Sequence, residues 1–156
     1  MTDLGVRQAT YKDLQAVPRD KVGELVDGVL HLSPRNGSPE STIAATLNGV
    51  LKRSGASGEG AGSKWLILSG VELRLGNDVV VPDLVGWRRD ALLAAAPEPT
   101  GAPPLNSVPT WVCEVVTPRS VRLDRVAKRA AYARAQVEFL WLIDSDLRTL
   151  EIQECI

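Results

Sequence analysis

The residue in this sequence whose surroundings most need explaining is Glu114. It stands inside Trp111-Val112-Cys113-Glu114-Val115-Val116, a short β-branched apolar run that reads as a strand buried on both faces. An unpaired ionised carboxylate in such a place costs several kcal/mol, so Glu114 must be paired, protonated or bound to a cation. A second acid, Asp83 in Val81-Pro82-Asp83-Leu84-Val85, is likewise flanked by apolar residues near the end of a β-prone run. Two acids brought to neighbouring strand ends make a hard oxygen site suited to Mg²⁺ or Mn²⁺. In an extended strand the carbonyl of Val115 adds a third ligand without adding charge. A cation belongs nearby, and Lys128 falls on the helix that follows. Asp124, Lys128 and Tyr132 are spaced by four and share one helical face, which can turn toward the acids. Glu24, just before Asp27-Gly28, is a fourth candidate.

Taken singly, each residue has a plainer reading. Glu114 can be a structural acid paired with an arginine or lysine, and Asp83 can merely end a strand. Lys128 can be a solvated helix residue and Glu24 an exposed strand residue. His31, the only histidine, reads as structural or exposed. From Thr117 to Gln136 six basic residues face one acid, Asp124, an excess of five positive charges. Arg119, Arg122, Arg125 and Arg129 are the candidates there for tracking phosphates, against the alternative of a solvated helix face.

The elements that must position these residues are legible in outline. Thr10 caps a short helix that Pro18 closes. Val22 to Val26 and Val29 to Leu32 are β runs joined at Asp27-Gly28, a dipeptide suited to a tight hairpin. Ile43, Leu47, Val50 and Leu51 recur at helical spacing in a helix ending near Ser54-Gly55. A Gly- and Ser-rich connection follows, Gly55 to Gly62. Trp65 to Leu75 and Val79 to Val85 read as a second hairpin, and the prolines between Pro97 and Pro109 mark a surface loop. After the Glu114 strand come a basic helix from Val121 to Gln136, a buried strand from Phe139 to Ile143, a turn at Asp144-Ser145-Asp146 and a last strand from Leu147 to Ile152. Hairpins first, then strand, helix, strand, predict one α/β or α+β domain over residues 1–156.

Composition narrows the function classes. The chain has 156 residues and a formal net charge of -1, so no broad basic surface advertises nucleic-acid binding and any such binding must be local. Cys113 and Cys155 do not form a disulfide framework and lack metal-ligand spacing, which fits a reducing cytoplasm. No signal peptide or membrane-length apolar run is evident, and no membrane association is expected. No phosphate-loop motif is present.

Glu24-Leu-Val-Asp-Gly28, Val81-Pro-Asp-Leu-Val85, Glu114-Val-Val-Thr-Pro-Arg-Ser120, then Asp124, Lys128 and Tyr132 before Phe139-Leu-Trp-Leu-Ile-Asp144, resemble the Uma-type putative restriction endonuclease family. The match runs from the first hairpin to the last strand. It implies the PD-(D/E)XK nuclease fold, a central mixed β-sheet flanked by helices, with Asp83 and Glu114 as metal ligands. A strict signature has lysine two residues after Glu114, where this chain has Val116, so the lysine role falls to Lys128, as the family pattern implies. Members carry a histidine at the start of the second helix, where this chain has Glu40 or Ser41. The resemblance thus implies a Mg²⁺- or Mn²⁺-dependent endonuclease cutting phosphodiester bonds in DNA. A homodimer is expected, since cutting a duplex needs two sites. The alternative is a catalytically inactive member that keeps the fold as a binding or assembly module.

Overall fold

A computed structural model describes residues 7–35, 39–54, 64–95 and 107–155. The connection expected at 55–62 and most of the loop expected at 97–109 lie outside these residues. α1 (Tyr11–Gln15) begins where Thr10 predicts, its backbone N–H and hydroxyl both donating to the Asp13 carboxylate at 2.8 Å. β1 (Lys21–Val26) and β2 (Val29–Pro34) form the expected hairpin. Asp27 and Gly28 have φ of 51° and 74°, the positive pair that such a two-residue turn requires. α2 (Pro39–Arg53) follows.

The next two β-prone runs each break in two. β3 (Trp65–Ser69) and β4 (Leu73–Leu75) part at Gly70, which has a φ of 58°. β5 (Asp78–Val80) and β6 (Leu84–Arg88) part at Val81-Pro82-Asp83, where Pro82 has no N–H to give a ladder. The expected hairpin survives as β4–β5, but β3 and β6 leave it and pair with each other. Asp83, expected near the end of its outgoing strand, instead lies in the connection one residue before β6. α3 (Arg89–Ala95) had no sequence signal strong enough to predict it.

β7 (Trp111–Val116) is buried at all six positions, as its composition requires. A helical crossover returns the chain to β8 (Phe139–Asp144), parallel to β7, and β9 (Thr149–Glu154) closes the sheet antiparallel. The crossover has a π-helical stretch, Leu123–Lys128, that runs directly into α4 (Arg129–Arg134). Two sheets result: a four-stranded antiparallel one, β2-β1-β5-β4, and a five-stranded mixed one, β3-β6-β7-β8-β9.

Alternation along β7 assigns its two faces. Val112 and Val116 pack with Tyr132 and Leu140 and with Val26, Leu73 and Val80 of the other sheet. Trp111, Cys113 and Val115 pack with Ala44 of α2, Ile67 and Leu84. The expected central mixed sheet is therefore present, with α2 against one face and the crossover helix and second sheet against the other. Both cysteines are free thiols, and no helix among the described residues is long and apolar enough to cross a membrane.

Candidate active site

Glu114 lies between Val112 and Val116 on the face of β7 that meets the crossover helix. That helix supplies its partners. Lys128 Nζ is 2.6 Å from Glu114 Oε1, and the Tyr132 hydroxyl donates to the same oxygen. Lys128 Nζ also lies 2.9 Å from Glu24 Oε1 and 3.6 Å from Asp124 Oδ1. The shared face read from the four-residue spacing is real, though it is carried through the π-helical stretch. Glu24 reaches the cluster from β1, and its Oε1 accepts the N–H of Val81 at 2.7 Å, a donor left unpaired where β5 ends. Glu114 and Lys128 are each only 2% exposed.

Asp83 arrives from the other side. Pairing of β6 with β7 stops at Leu84 opposite Cys113, and beyond that point the edge of β7 meets a side chain instead of a strand. Val115 N–H donates to Asp83 Oδ2 at 2.7 Å. The N–H and C=O of one extended residue point the same way, so the Val115 carbonyl faces the side Asp83 occupies. Asp83, Glu114, Val115, Glu24, Asp124 and Lys128 all line one cleft of about 330 Å³.

Charge in that cleft is unbalanced. Five carboxylates, Glu24, Glu40, Asp83, Glu114 and Asp124, share it with the Lys128 ammonium and the Arg35 guanidinium. Burial raises Glu114 well above the usual carboxylate range, and raises Asp124 as well. Burial lifts Asp83 to about 6, even though the Val115 N–H favours its ionised form. For Lys128 burial acts downward, but the attraction of Glu114, Tyr132, Glu24 and Asp124 outweighs it and holds the ammonium well above its ordinary value. Burial, then the neighbouring Glu114, keep the Tyr132 phenol un-ionised.

The donor set suits a hard cation. Among the described residues no three of His, Cys, Asp and Glu form a ready-made metal cage. Mg²⁺ needs none, because it keeps several waters and binds through one or two carboxylates. Asp83, Glu114 and the Val115 carbonyl offer such a set. Glu40 Oε2, on α2 across the same cleft, is buried without a hydrogen-bond partner, an acceptor that a cation or its water would satisfy.

The basic candidates lie elsewhere. None of Arg119, Arg122, Arg125 and Arg129 lines the cleft. Arg125 is engaged by Glu151 at 2.7 Å and Asp144 at 3.8 Å. Arg119, Arg122 and Arg129 are exposed, and the first two make no ion pair among the described residues. Sequence reasoning assigned no role to Glu40, for which an acid in the first turn of α2 was the only signal. It also missed Arg134, which bridges Asp27 at 2.6 Å and Asp78 at 2.7 Å. That bridge ties the helix carrying Lys128 to both hairpin turns of the sheet carrying Glu24, and no spacing in the sequence reveals it.

A family model, Uma2, described as "Putative restriction endonuclease", matches residues 9–154. Among solved structures, the chain is similar to one titled "putative nuclease belonging to DUF820" from Anabaena variabilis, with a TM-score of 0.68 and 17% identity over 93% of this chain and 79% of that one. At that identity the likeness is one of fold. No curated protein matches the sequence.

Proposed function

The chain belongs to the Uma2 family, described as "Putative restriction endonuclease", and from that premise we propose that its acidic cleft hydrolyses phosphodiester bonds in DNA with Mg²⁺ or Mn²⁺ held by Asp83, Glu114 and the Val115 carbonyl. The observation that carries this reading is the charge imbalance: Glu24, Glu40, Asp83, Glu114 and Asp124 line one cleft against Lys128 and Arg35, and the Arg35 guanidinium already donates to the carbonyls of Arg19 and Lys21. A divalent ion bound there supplies an acidified water and offsets charge on the phosphoryl oxygens.

The chain's own residues have separable tasks. Lys128 stays protonated through the neutral range, so it acts as a fixed positive charge toward the phosphate and not as a base. Glu24, held by the Val81 N–H, and Asp124 aim that ammonium. Tyr132 fixes the orientation of Glu114 by donating to it. Arg119, Arg122 and Arg129, exposed and outside the cleft, would meet flanking phosphates, whereas Arg125 is committed to Glu151. Cutting both strands of a duplex takes two such clefts and hence two copies of the chain. The free thiols support a cytoplasmic setting.

One observation favours a second reading, a catalytically silent binding or assembly module: Lys128 already sits on Glu114 as an internal counter-ion. Plasmid DNA incubated with Mg²⁺ or Mn²⁺ separates the two. Wild type is expected to nick it and identically prepared Asp83→Ala is not. Equal cleavage by both proteins rejects the catalytic reading.

A further inference from the structure

Among the described residues β9 has β8 as its only strand neighbour, so its outer row of backbone N–H and C=O groups is a template for another strand. Sheets blunt such edges with proline, lysine, bulges or very short strands. β9 uses none of these: it is six residues long and pairs with β8 without interruption from Phe139 opposite Glu154 to Asp144 opposite Thr149. Leu150 and Ile152 are 53% and 58% exposed, on the face they share with half-buried Ile143 and Trp141 across the ladder. On the opposite face Glu151, the charge that would guard the edge, is tied to Arg125 at 2.7 Å.

We propose that β9 pairs antiparallel with β9 of a second copy, joining two five-stranded sheets across a twofold axis at Glu151. The symmetry of the segment identifies this occupant. A twofold axis normal to the sheet keeps each face on its own side, so residues paired across it are separated by an even number. With the axis at Glu151, Leu150 faces Ile152 of the second copy and Thr149 faces its Gln153, each twice; the ladder stops there, because Arg148 belongs to the turn before β9 and has a φ of 54°. Apolar side chains thus meet on the exposed face. Moving the axis to Ile152 sets Leu150 against Glu154, and moving it to Leu150 leaves Ile152 opposite the turn residue Arg148, beyond the start of the strand. At the chosen axis the two Glu151 carboxylates approach, each already neutralised by its own Arg125.

The pairing has a consequence for the cleft. Asp83 precedes β6 and meets β7 beyond the end of their ladder, so the cleft lies at the end of the sheet where β7 and β8 finish and β9 begins. Rotation about the axis exchanges the two ends. The clefts of the dimer then face opposite ends of the joined sheet, and the dimer does not deliver both to one base-pair step. It is an assembly device, and it stands or falls independently of the proposed nuclease chemistry.

Sedimentation equilibrium of the full chain tests it. A dimer is expected at tens of micromolar. Leu150→Lys and Ile152→Glu are each expected to weaken it about tenfold, because each sets a charge against an apolar partner twice across the axis, and the double substitution, which sets opposite charges against each other, is expected to restore it. Both positions are exposed, and unchanged circular dichroism melts verify that the variants fold. A monomeric wild type overturns the proposal, as does a dimer indifferent to the single substitutions or one that the double substitution fails to restore.

Discussion

Lys128 meets Glu24 at 2.9 Å across the boundary between the two sheets, and the same ammonium holds Glu114 at 2.6 Å. One side chain thereby joins the crossover helix, the central strand of one sheet and the first strand of the other. The pocket that results is both a structural knot and the proposed chemical centre, and its two roles predict separable outcomes.

Removing the ammonium leaves two nearly fully buried acids without a counter-ion. Lys128→Met is expected to lower unfolding free energy by about 3–5 kcal/mol, measured by urea denaturation. Adding Glu114→Gln should recover part of that loss, since a neutral amide needs no counter-charge. Strict additivity of the two losses would mean that the residues do not act as a pair.

Asp83 gives stability a pH dependence of known sign. Its folded carboxyl titrates at about 6, above the ordinary value of 3.8, so the native state binds the proton more tightly than the unfolded chain. The stability its proton contributes is fully present below pH 3.8 and is lost as pH rises through 6. Without divalent ions, wild type should therefore lose on the order of 3 kcal/mol relative to Asp83→Asn between pH 4 and pH 7. Parallel stability profiles for the two proteins would contradict the burial of Asp83.

The arginines on the crossover segment should divide by their partners. Arg119→Gln and Arg122→Gln are each expected to reduce the salt slope of DNA affinity by about 1. Arg125→Gln should leave DNA affinity unchanged and lower stability instead, because its guanidinium already serves Glu151. Fluorescence anisotropy across a salt series distinguishes them. A full loss of slope in Arg125→Gln would reverse the assignment.

Gly86 is held to glycine by packing. A Cβ there would overlap the indole of Trp111, which cannot retreat because it stacks on Trp141 at 4.8 Å. Gly86→Ala is expected to cost about 1–3 kcal/mol and to change the near-ultraviolet circular dichroism of the tryptophan pair. An unaltered spectrum and melt would show that the ring has room to move.

Much of this architecture was legible because local rules and tertiary packing agree. Asp27-Gly28 specifies a turn with two positive φ angles, and the turn is there. The unbroken apolar run around Glu114 specifies a strand covered on both faces, and every residue of β7 is buried. Glu114, Asp83, Lys128 and Glu24 stand out in the sequence by residue type and context, and the fold brings all four to one cleft. What stayed hidden depends on contacts between distant segments. Nothing local says that Trp65–Ser69 leaves its sequence neighbour Leu73–Leu75 for Leu84–Arg88, since either pairing buries similar apolar residues. The π-helical stretch is equally silent, because side-chain spacing does not distinguish a local change of backbone bonding from an ordinary helix. Arg125 looked like its basic neighbours until Glu151, 26 residues away, proved to hold it.

On the proposed reading these acids grip one divalent cation, and calorimetric titration of the full chain with Mn²⁺ at pH 7.5 tests this without relying on catalysis. Wild type should bind one ion, and Asp83→Asn, shown to be folded by its melting curve, should bind it at least about tenfold more weakly. No heat of binding in the wild type, or equal affinity in the two proteins, would contradict it.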